Sequence, residues 1–535
     1  MTSSRYLLLI LLLTVLVFAA SLQGKFVYDD HFIIVNSKSL PRNDYFSTIF
    51  THSFAYDAGS DESYVSNPID YYRPFIRLFF GLCFRLFGLD PFYWRLANLL
   101  VYLVAIFFCY FLVRELSDEK IAILSTLFFA VHPLHSESVA YVNGSVDTLH
   151  AAFFFPSFLL FVLYRKNGKL VYLLGGCTLF LAALFTKELA LMLPLLVVLY
   201  LYLYDEENDP RKKFWKVARV AVPLLITVAS YLLLRSYTYK SVFASARQVF
   251  TGKLTLSETL LTIPSVILEY LRMMLWPVDL RILRSVPIIT TLFSARFLLS
   301  LVAVVLLIGI CLRLPIRLKM AVGLFLIGLF PVLNISAFPQ DRMLQDRYAF
   351  ISLLGFCMVL AEVVVWLYSS KDKILRRVTV WTTGIVVLLL CWLTIRQNGY
   401  WMSDSALWMR ASALVPTSVY AHCNAGSFLL AEGNEECLAY YKQALSLDPK
   451  ATCALIGFAE YYGKKRDYRT AIEYWKKAVE AGGYRKKINM LFLAQTYSIA
   501  GDNRSALEVL KRTVQEFPDY EEAKVLYAEL SRLVE

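Results

Sequence analysis

Charge is what this chain has least of. Only 18% of its 535 residues are Asp, Glu, Lys or Arg, 58% are hydrophobic, and the mean hydropathy is +0.53. That balance excludes a soluble globular protein of this length and leaves a membrane protein. Cysteine occurs nine times but never at CxxC or CxxxC spacing, and most of the nine fall inside apolar runs. The pattern excludes a zinc site and a secreted disulfide framework, so the thiols read as small core residues. Basic residues number 54 against 42 acidic, net +12, but residues 397–535 hold 17 of each and cancel. The excess lies in short clusters between apolar runs of the first 396 residues, which reads as the positive-inside signal and not as a nucleic-acid footprint.

Eleven spans are expected. The first runs from about Tyr6 to Ala20. Ala19-Ala20-Ser21 would pass as a cleavage region, but cleavage would leave the acidic segment beyond it untethered, so an uncleaved anchor is the preferred reading. The other spans lie at about 93–113, 120–135, 146–164, 170–186, 189–204, 216–235, 297–312, 318–335, 347–368 and 377–395. Two more apolar stretches carry charge: 74–89 holds Arg77 and Arg85, and 258–275 holds Glu258, Glu269 and Arg272. Charge at the bilayer centre costs about 2.5–3.5 kcal/mol per residue, so these two are expected to be interfacial or re-entrant. With Arg5 inside, one face collects Arg114 and Lys120, Arg165 to Lys169, Arg211 to Lys213, Arg313 to Lys319, and Lys371 to Arg377. An odd span count then sends the C-terminal part to the periplasm or lumen, as expected for a multi-pass protein of a bacterial inner membrane or an ER membrane.

That C-terminal part, 397–535, repeats. Ala425, Ala459 and Ala494 keep a period of about 34 residues, as do Phe428, Tyr462 and Tyr497, then Cys437, Ala471 and Ala506, and then Tyr441, Trp475 and Leu510. Small residues at these steps let antiparallel helices approach, aromatics fill the gap, and Pro449 and Pro518 stop a helix. Three tetratricopeptide repeats are expected at about 418–451, 452–485 and 486–520, with a capping helix at 521–534. Such repeats imply a bound protein or peptide without naming it.

The chemistry is expected in the membrane half, 1–396. Asp29, Asp30 and His31 follow the first span directly, in a loop that also holds Asp44, Asp57, Asp61, Glu62 and Asp70. Adjacent carboxylates raise each other's pKa, which suits a general base or a cation ligand; the alternative is a solvated pair. After the third span, His132, His135 and Glu137 fall within six residues, and Asp147 follows. They offer half a ligand set for a divalent cation, with Asp30, His132 and Glu137 as candidate donors, or a hydrogen-bonding floor for sugar hydroxyls. HxxH then Glu lacks the HExxH spacing of a zincin. Lys187 and Glu188 lie at a later outer turn, and Arg342, Asp346, Arg347 and Tyr348 between two late spans. Together with Arg73 and Arg77 these cations would neutralise a phosphate at the membrane surface, unless Lys187 and Glu188 merely pair with each other.

The order Asp29-Asp30, Tyr71-Tyr72-Arg73-Pro74, Gly88-Leu89-Asp90-Pro91, Asn98-Leu99-Leu100, His132 to Glu137, Lys187-Glu188 and Asp346-Arg347-Tyr348, then repeats, resembles the transmembrane and tetratricopeptide-repeat O-mannosyltransferase-like proteins of the GT-C superfamily. The resemblance covers nearly the whole chain. It implies an all-α polytopic membrane domain of GT-C type followed by a tetratricopeptide-repeat solenoid. It also implies transfer of a sugar, mannose being a candidate, from a polyprenyl-phosphate carrier to a protein or glycan on the periplasmic or lumenal side, with the acidic pair at the active site. Two departures stand out. The family's Gly-Arg-x-Asp is here Gly144-Ser145-Val146-Asp147, without the Arg, and its Glu-Arg-Tyr is Asp346-Arg347-Tyr348. The competing expectations are a non-catalytic membrane scaffold and an O-antigen-type ligase, which would gather its Arg and His in one late loop.

Overall fold

The computed structural model describes residues 3–54, 71–239, 254–339, 341–483 and 485–534; Asp57, Asp61, Glu62 and Asp70 lie outside them. Among the described residues the architecture is all-α, with no strand and one isolated bridge between Arg284 and Arg342. The chain divides into two compact units, Met1–Ser403 and Asp404–Glu535. The division falls after Ser403 and not after Arg396, because the last helix of the first unit runs to Gly399 and Trp401 stacks on Tyr141 at 5.0 Å.

In the first unit the helices are α1 (Ser3–Phe18), α2 (Pro74–Phe87), α3 (Pro91–Leu116), α4 (Glu119–Ala130), α5 (Ser145–Asn167), α6 (Leu170–Thr186), α7 (Leu193–Tyr204), α8 (Pro210–Tyr239), α9 (Leu256–Leu275), α10 (Ala295–Arg313), α11 (Ile316–Leu329), α12 (Phe350–Tyr368) and α13 (Lys373–Gly399). Local chemistry sets their ends. Asp90 accepts from the Phe92 N–H at 3.0 Å with Pro91 opening α3, Asp118 caps α4 through the Ile121 N–H at 3.1 Å, and Gly168, at φ 66°, turns the chain out of α5. Where α12 crosses α11, a Cβ on Gly355 would stand 2.2 Å from the Ala321 carbonyl, so only glycine permits that approach.

Seven stretches among the described residues are long and apolar enough to cross a membrane: Ser4–Gln23, Pro91–Leu116, Ser145–Asn167, Pro210–Thr238, Ile316–Leu333, Asp346–Tyr368 and Lys373–Gly399. The chain is a multi-pass membrane protein. Three other expected spans are shorter apolar helices, Leu170–Thr186, Glu188–Tyr204 and Ala295–Cys311. The expected span at 120–135 is helical over a shorter stretch than expected and is not among the seven. There α4 has 12 residues, about 18 Å of rise against a hydrocarbon core of about 30 Å. His132-Pro133 ends it, because proline disfavours helix at the residue before it. The chain then runs from Val131 to Gly144 as buried turns around a single helical turn at Ser136–Val139, not as a loop at the surface. The charged stretches at 74–89 and 258–275 do form helices, α2 and α9, and neither is among the seven.

The second unit is a run of successive helices: α14 (Asp404–Leu414), α15 (Val419–Ala431), α16 (Cys437–Leu447), α17 (Thr452–Lys464), α18 (Tyr468–Ala481), α19 (Lys486–Ile499), α20 (Asn503–Glu516) and α21 (Glu521–Val534). The small residues that recur in the sequence, Ala425, Ala459, Ala494, Ala471 and Ala506, are fully buried. Tyr441 shows why: its ring lies where a Cβ on Gly426 or Gly457 would come within 2.5 and 2.1 Å of it.

Cysteine needs one correction. Cys423 of α15 and Cys453 of α17, 30 residues apart, form a disulfide with Cα atoms 5.8 Å apart. Nothing local in the sequence signals the bridge, since it depends on two helices from neighbouring pairs meeting side by side. Cys453→Ser should lower the stability of this unit by roughly 2–4 kcal/mol. Denaturant midpoints of the full-length protein check it, with non-reducing mass spectrometry reporting loss of the cross-link.

Candidate functional site

The site grows from the segments that cap the helices of the first unit. The chain leaves α1 through a turn at Ala19–Gln23, and Arg95 of α3 reaches into that turn. Its buried guanidinium donates to the carbonyls of Ser21 (3.0 Å) and Trp401 (2.8 Å), and also to those of Lys25 and Ala140. One cation thus ties the first span, the first loop, the 131–144 segment and the end of the last span. Gly24 has no side chain because the guanidinium of Arg95 occupies that place, 2.5 Å from where a Cβ would stand.

The acidic pair splits. Asp30 is fully buried: Oδ2 accepts from the Val27 N–H at 3.1 Å and Oδ1 from the Asn143 N–H at 2.8 Å, which pins the first loop to the 131–144 segment. The alternative of a solvated pair therefore fails for Asp30. Burial pushes its pKa up to about 7, against the pull of the Val27 N–H, Arg95 and the Asn143 N–H. Asp29 is half-buried and follows Tyr28, whose φ of 54° is left-handed.

His132 and His135 are both buried. His132 accepts from the Leu134 N–H through Nδ1 at 3.2 Å, and its Nε2 lies 3.0 Å from the Met274 carbonyl, so the ring is neutral with both nitrogens engaged. His135 is packed among Phe129, Phe350 and Tyr102 at ring separations of 4.4, 4.3 and 5.4 Å. Glu137 turns elsewhere. It accepts from the Arg347 N–H at 3.0 Å and faces the Arg347 guanidinium at 3.5 Å. Asp30, His132 and Glu137 are thus each engaged by a different protein partner and do not form a donor set for a cation; among the described residues no group of three metal-binding side chains converges.

Three ion pairs do converge. Lys187 bonds Asp147, both buried; Arg73 grips Glu188 with two bonds, at 2.7 and 3.1 Å; Arg347 stands on Glu137. Lys187 and Glu188 therefore bind other residues and not each other. Burial pushes the Lys187 ammonium down and the Glu137 carboxyl up, each opposed by its partner. Arg73 also stacks at 3.9 Å on Tyr71, and Lys187 lies 5.5 Å from the Tyr348 ring. The charges of Arg73 and Arg347 both act on Lys187, so the three cations lie within electrostatic reach of one another. Asp147, His150, Leu189, Met192, Arg347 and Tyr348 line a crevice there. Tyr141 connects Arg347 to the first loop, since Asp29, Asp30 and Arg347 all lie close enough to act on its buried phenol.

Arg77 is not in that group. It donates to the carbonyls of Thr48 (2.6 Å) and His52 (3.2 Å) and so shapes the first loop. Several residues that sequence reasoning did not single out belong to the site: Arg95, Tyr141, Arg235, whose charge acts on Tyr71 and Tyr231, and His150. Only His150 had a legible signal, lying three residues after Asp147 on one helix face.

Against known proteins, the model of the dolichyl-phosphate-mannose-protein mannosyltransferase family matches residues 68–234. Human protein O-mannosyl-transferase TMTC1 is 24% identical over 508 residues, covering 82% of this chain and 55% of that protein. The chain is similar to protein O-mannosyl-transferases. Mouse protein O-mannosyl-transferase TMTC3 is 26% identical over 462 residues, covering 79% of this chain and 49% of that one. The chain spans about half the length of the curated relatives it matches. The resemblance read from the motif order therefore holds. The stretch matched by the mannosyltransferase family contains Arg73, Glu137, Asp147, Lys187 and Glu188, and leaves out Asp29 and Arg347. Among solved structures, ArnT from Cupriavidus metallidurans bound to undecaprenyl phosphate aligns at TM-score 0.46 and 16% identity, covering 89% of this chain and 80% of that one, a likeness too loose to carry an argument.

Proposed function

We propose that this chain is a membrane glycosyltransferase of GT-C type that moves a sugar from a polyprenyl-phosphate carrier to a hydroxyl of a protein or glycan acceptor. The observation that carries the reading is the set of cations Arg73, Lys187 and Arg347, each paired with a carboxylate, buried for Asp147 and Glu137 and half-buried for Glu188, with Asp29 and Arg347 both acting on the phenol of Tyr141. A non-catalytic scaffold has no use for three oriented cations beside a carboxylate. In the proposed reaction Asp29 takes the proton of the acceptor hydroxyl, whose oxygen bonds to the anomeric carbon as the bond to the phosphate oxygen breaks. Arg347, Lys187 and Arg73 hold the phosphate and take up the charge that develops on it. The similarity to protein O-mannosyl-transferases favours mannose and a protein acceptor. The carrier's apolar tail enters sideways from the bilayer between helices.

The second unit is proposed to be a tetratricopeptide-repeat solenoid outside the cytoplasm that holds a protein or peptide. The run of basic loops on the opposite face favours that side, and so does the Cys423–Cys453 bridge, because disulfides persist in oxidising compartments. A C-terminal alkaline phosphatase fusion should be active; an inactive fusion, with a fluorescent protein fusion that glows, would overturn the topology. For the activity, mass spectrometry of membrane and secreted glycoproteins with and without the gene should find a hexose missing from particular Ser or Thr residues. Identical glycan profiles would refute the assignment.

A further inference from the structure

A side-chain bond joins the first loop to the loop that carries Arg347: Nη1 of Arg342 donates to the Tyr28 hydroxyl at 2.9 Å. Tyr28 is one residue before Asp29 and one of two non-glycine residues with positive φ among those described. A left-handed aromatic residue persists only where its surroundings hold it. Here they do so from several directions. Ahead of it, Gly24 lies under the Arg95 guanidinium; after it, Asp30 is pinned by the N–H groups of Val27 and Asn143; beside it, its ring lies 6.3 Å from that of Tyr141. At the tip of the side chain the hydroxyl accepts from Arg342, from a segment 314 residues away.

The other end of this link is equally well held. Arg342 forms a backbone bridge with Arg284, the Leu344 N–H donates to the Arg284 carbonyl at 3.2 Å, and the Arg284 guanidinium is anchored on Glu269 at 2.9 Å. Five residues beyond Arg342, the Arg347 N–H donates to Glu137. The Nε of Arg342 faces Asp341 at 3.5 Å while its Nη1 donates to Tyr28.

We propose that Arg342 and Tyr28 are a positioning pair: their bond keeps Tyr28 in its left-handed conformation and so fixes Asp29 relative to Arg347. The inference rests on Asp29 being the base of the proposed transfer. Neither residue touches the reacting atoms. Their effect is on the distance between the group that removes a proton and the group that holds the phosphate, a distance to which the rate is steeply sensitive.

The test uses the full-length protein in lipid nanodiscs, polyprenyl-phosphate [3H]mannose as donor, and envelope glycoproteins from cells lacking the gene as acceptor. Tyr28→Phe and Arg342→Gln are each expected to lower kcat by about 10- to 100-fold, with donor KM within about twofold and melting temperature nearly unchanged. Because both remove the same bond, the double variant should be no slower than the slower single one. Arg342→Lys, which keeps a donor at shorter reach, should recover part of the rate. Losses that multiply in the double variant, an effect confined to donor KM, or unchanged kcat in both singles would overturn the pair. Asp29→Asn is measured alongside. Full activity there removes the base on which the pair depends, whereas loss there with active Tyr28→Phe and Arg342→Gln overturns the positioning pair alone.

Discussion

Asp29→Asn should lose sugar transfer by about 100-fold or more, the scale of a missing general base, with no measurable change in melting temperature. Its side chain is half-buried on the first loop, next to the phenol that also senses Arg347. Asp30→Asn should behave in the opposite way. The two N–H groups of Val27 and Asn143 each need an acceptor, and an amide supplies one oxygen and one donor group, so one N–H is left facing another. That costs roughly 1–3 kcal/mol of stability. Activity should fall only as far as the loop loosens. The two variants also differ in pH dependence. With Asp30 at about 7 when folded and near its ordinary 3.8 when unfolded, the folded form holds a proton that the unfolded form has released between those values. The stability contributed by this group is therefore complete below about pH 4 and declines as pH rises towards 7. Melting temperatures measured from pH 5 to pH 8 should fall less in Asp30→Asn than in the natural protein. If Asp30→Asn is fully stable and catalytically dead while Asp29→Asn is active, the roles are reversed and the assignment is wrong.

The second large effect belongs to the buried Lys187 and Asp147 pair. Lys187→Met leaves the Asp147 carboxylate, 3% exposed, without its ammonium, and breaking a buried pair from one side costs about 3–5 kcal/mol. The double variant Lys187→Met/Asp147→Leu removes both charges together and should regain most of that stability, since an apolar pair of similar volume replaces a buried ion pair at little cost. Donor binding should not return with it, because a cation has still been lost from the proposed phosphate site. Unfolding midpoints and donor KM measured on the same preparations separate the two quantities. A double variant that recovers both folding and donor affinity would make Lys187 a structural lysine and remove it from the proposed phosphate site.

Helix positions were legible because they depend on what lies within a short window. Apolar runs predict α3 and α4, whose first turns the structure shows capped by Asp90 and Asp118, and charges at 77, 85, 269 and 272 mark α2 and α9 as unlike the spans. The 34-residue period in the second unit was legible for the same reason: small residues recur wherever two helices must touch. Hydrophobicity did not reveal where α4 ends, since the apolar run continues beyond it and only His132-Pro133 breaks the helix.

Of the site, the sequence by itself determined which residue types were available and in what order: an acidic pair, a His and Glu segment, Lys187-Glu188 and the Asp346-Arg347-Tyr348 run. Only the tertiary structure decided what each one meets. Lys187 finds Asp147 from 40 residues away, Arg73 finds Glu188 from 115, and Arg347 finds Glu137 from 210. The same meeting of distant segments made His132 and His135 core residues, turned Arg77 onto loop carbonyls, joined Cys423 to Cys453, and buried Asp30 while leaving Asp29 half open. A polar side chain's role follows from its desolvation and its partner, and both are properties of the packed chain, whereas helix formation follows from neighbours in sequence.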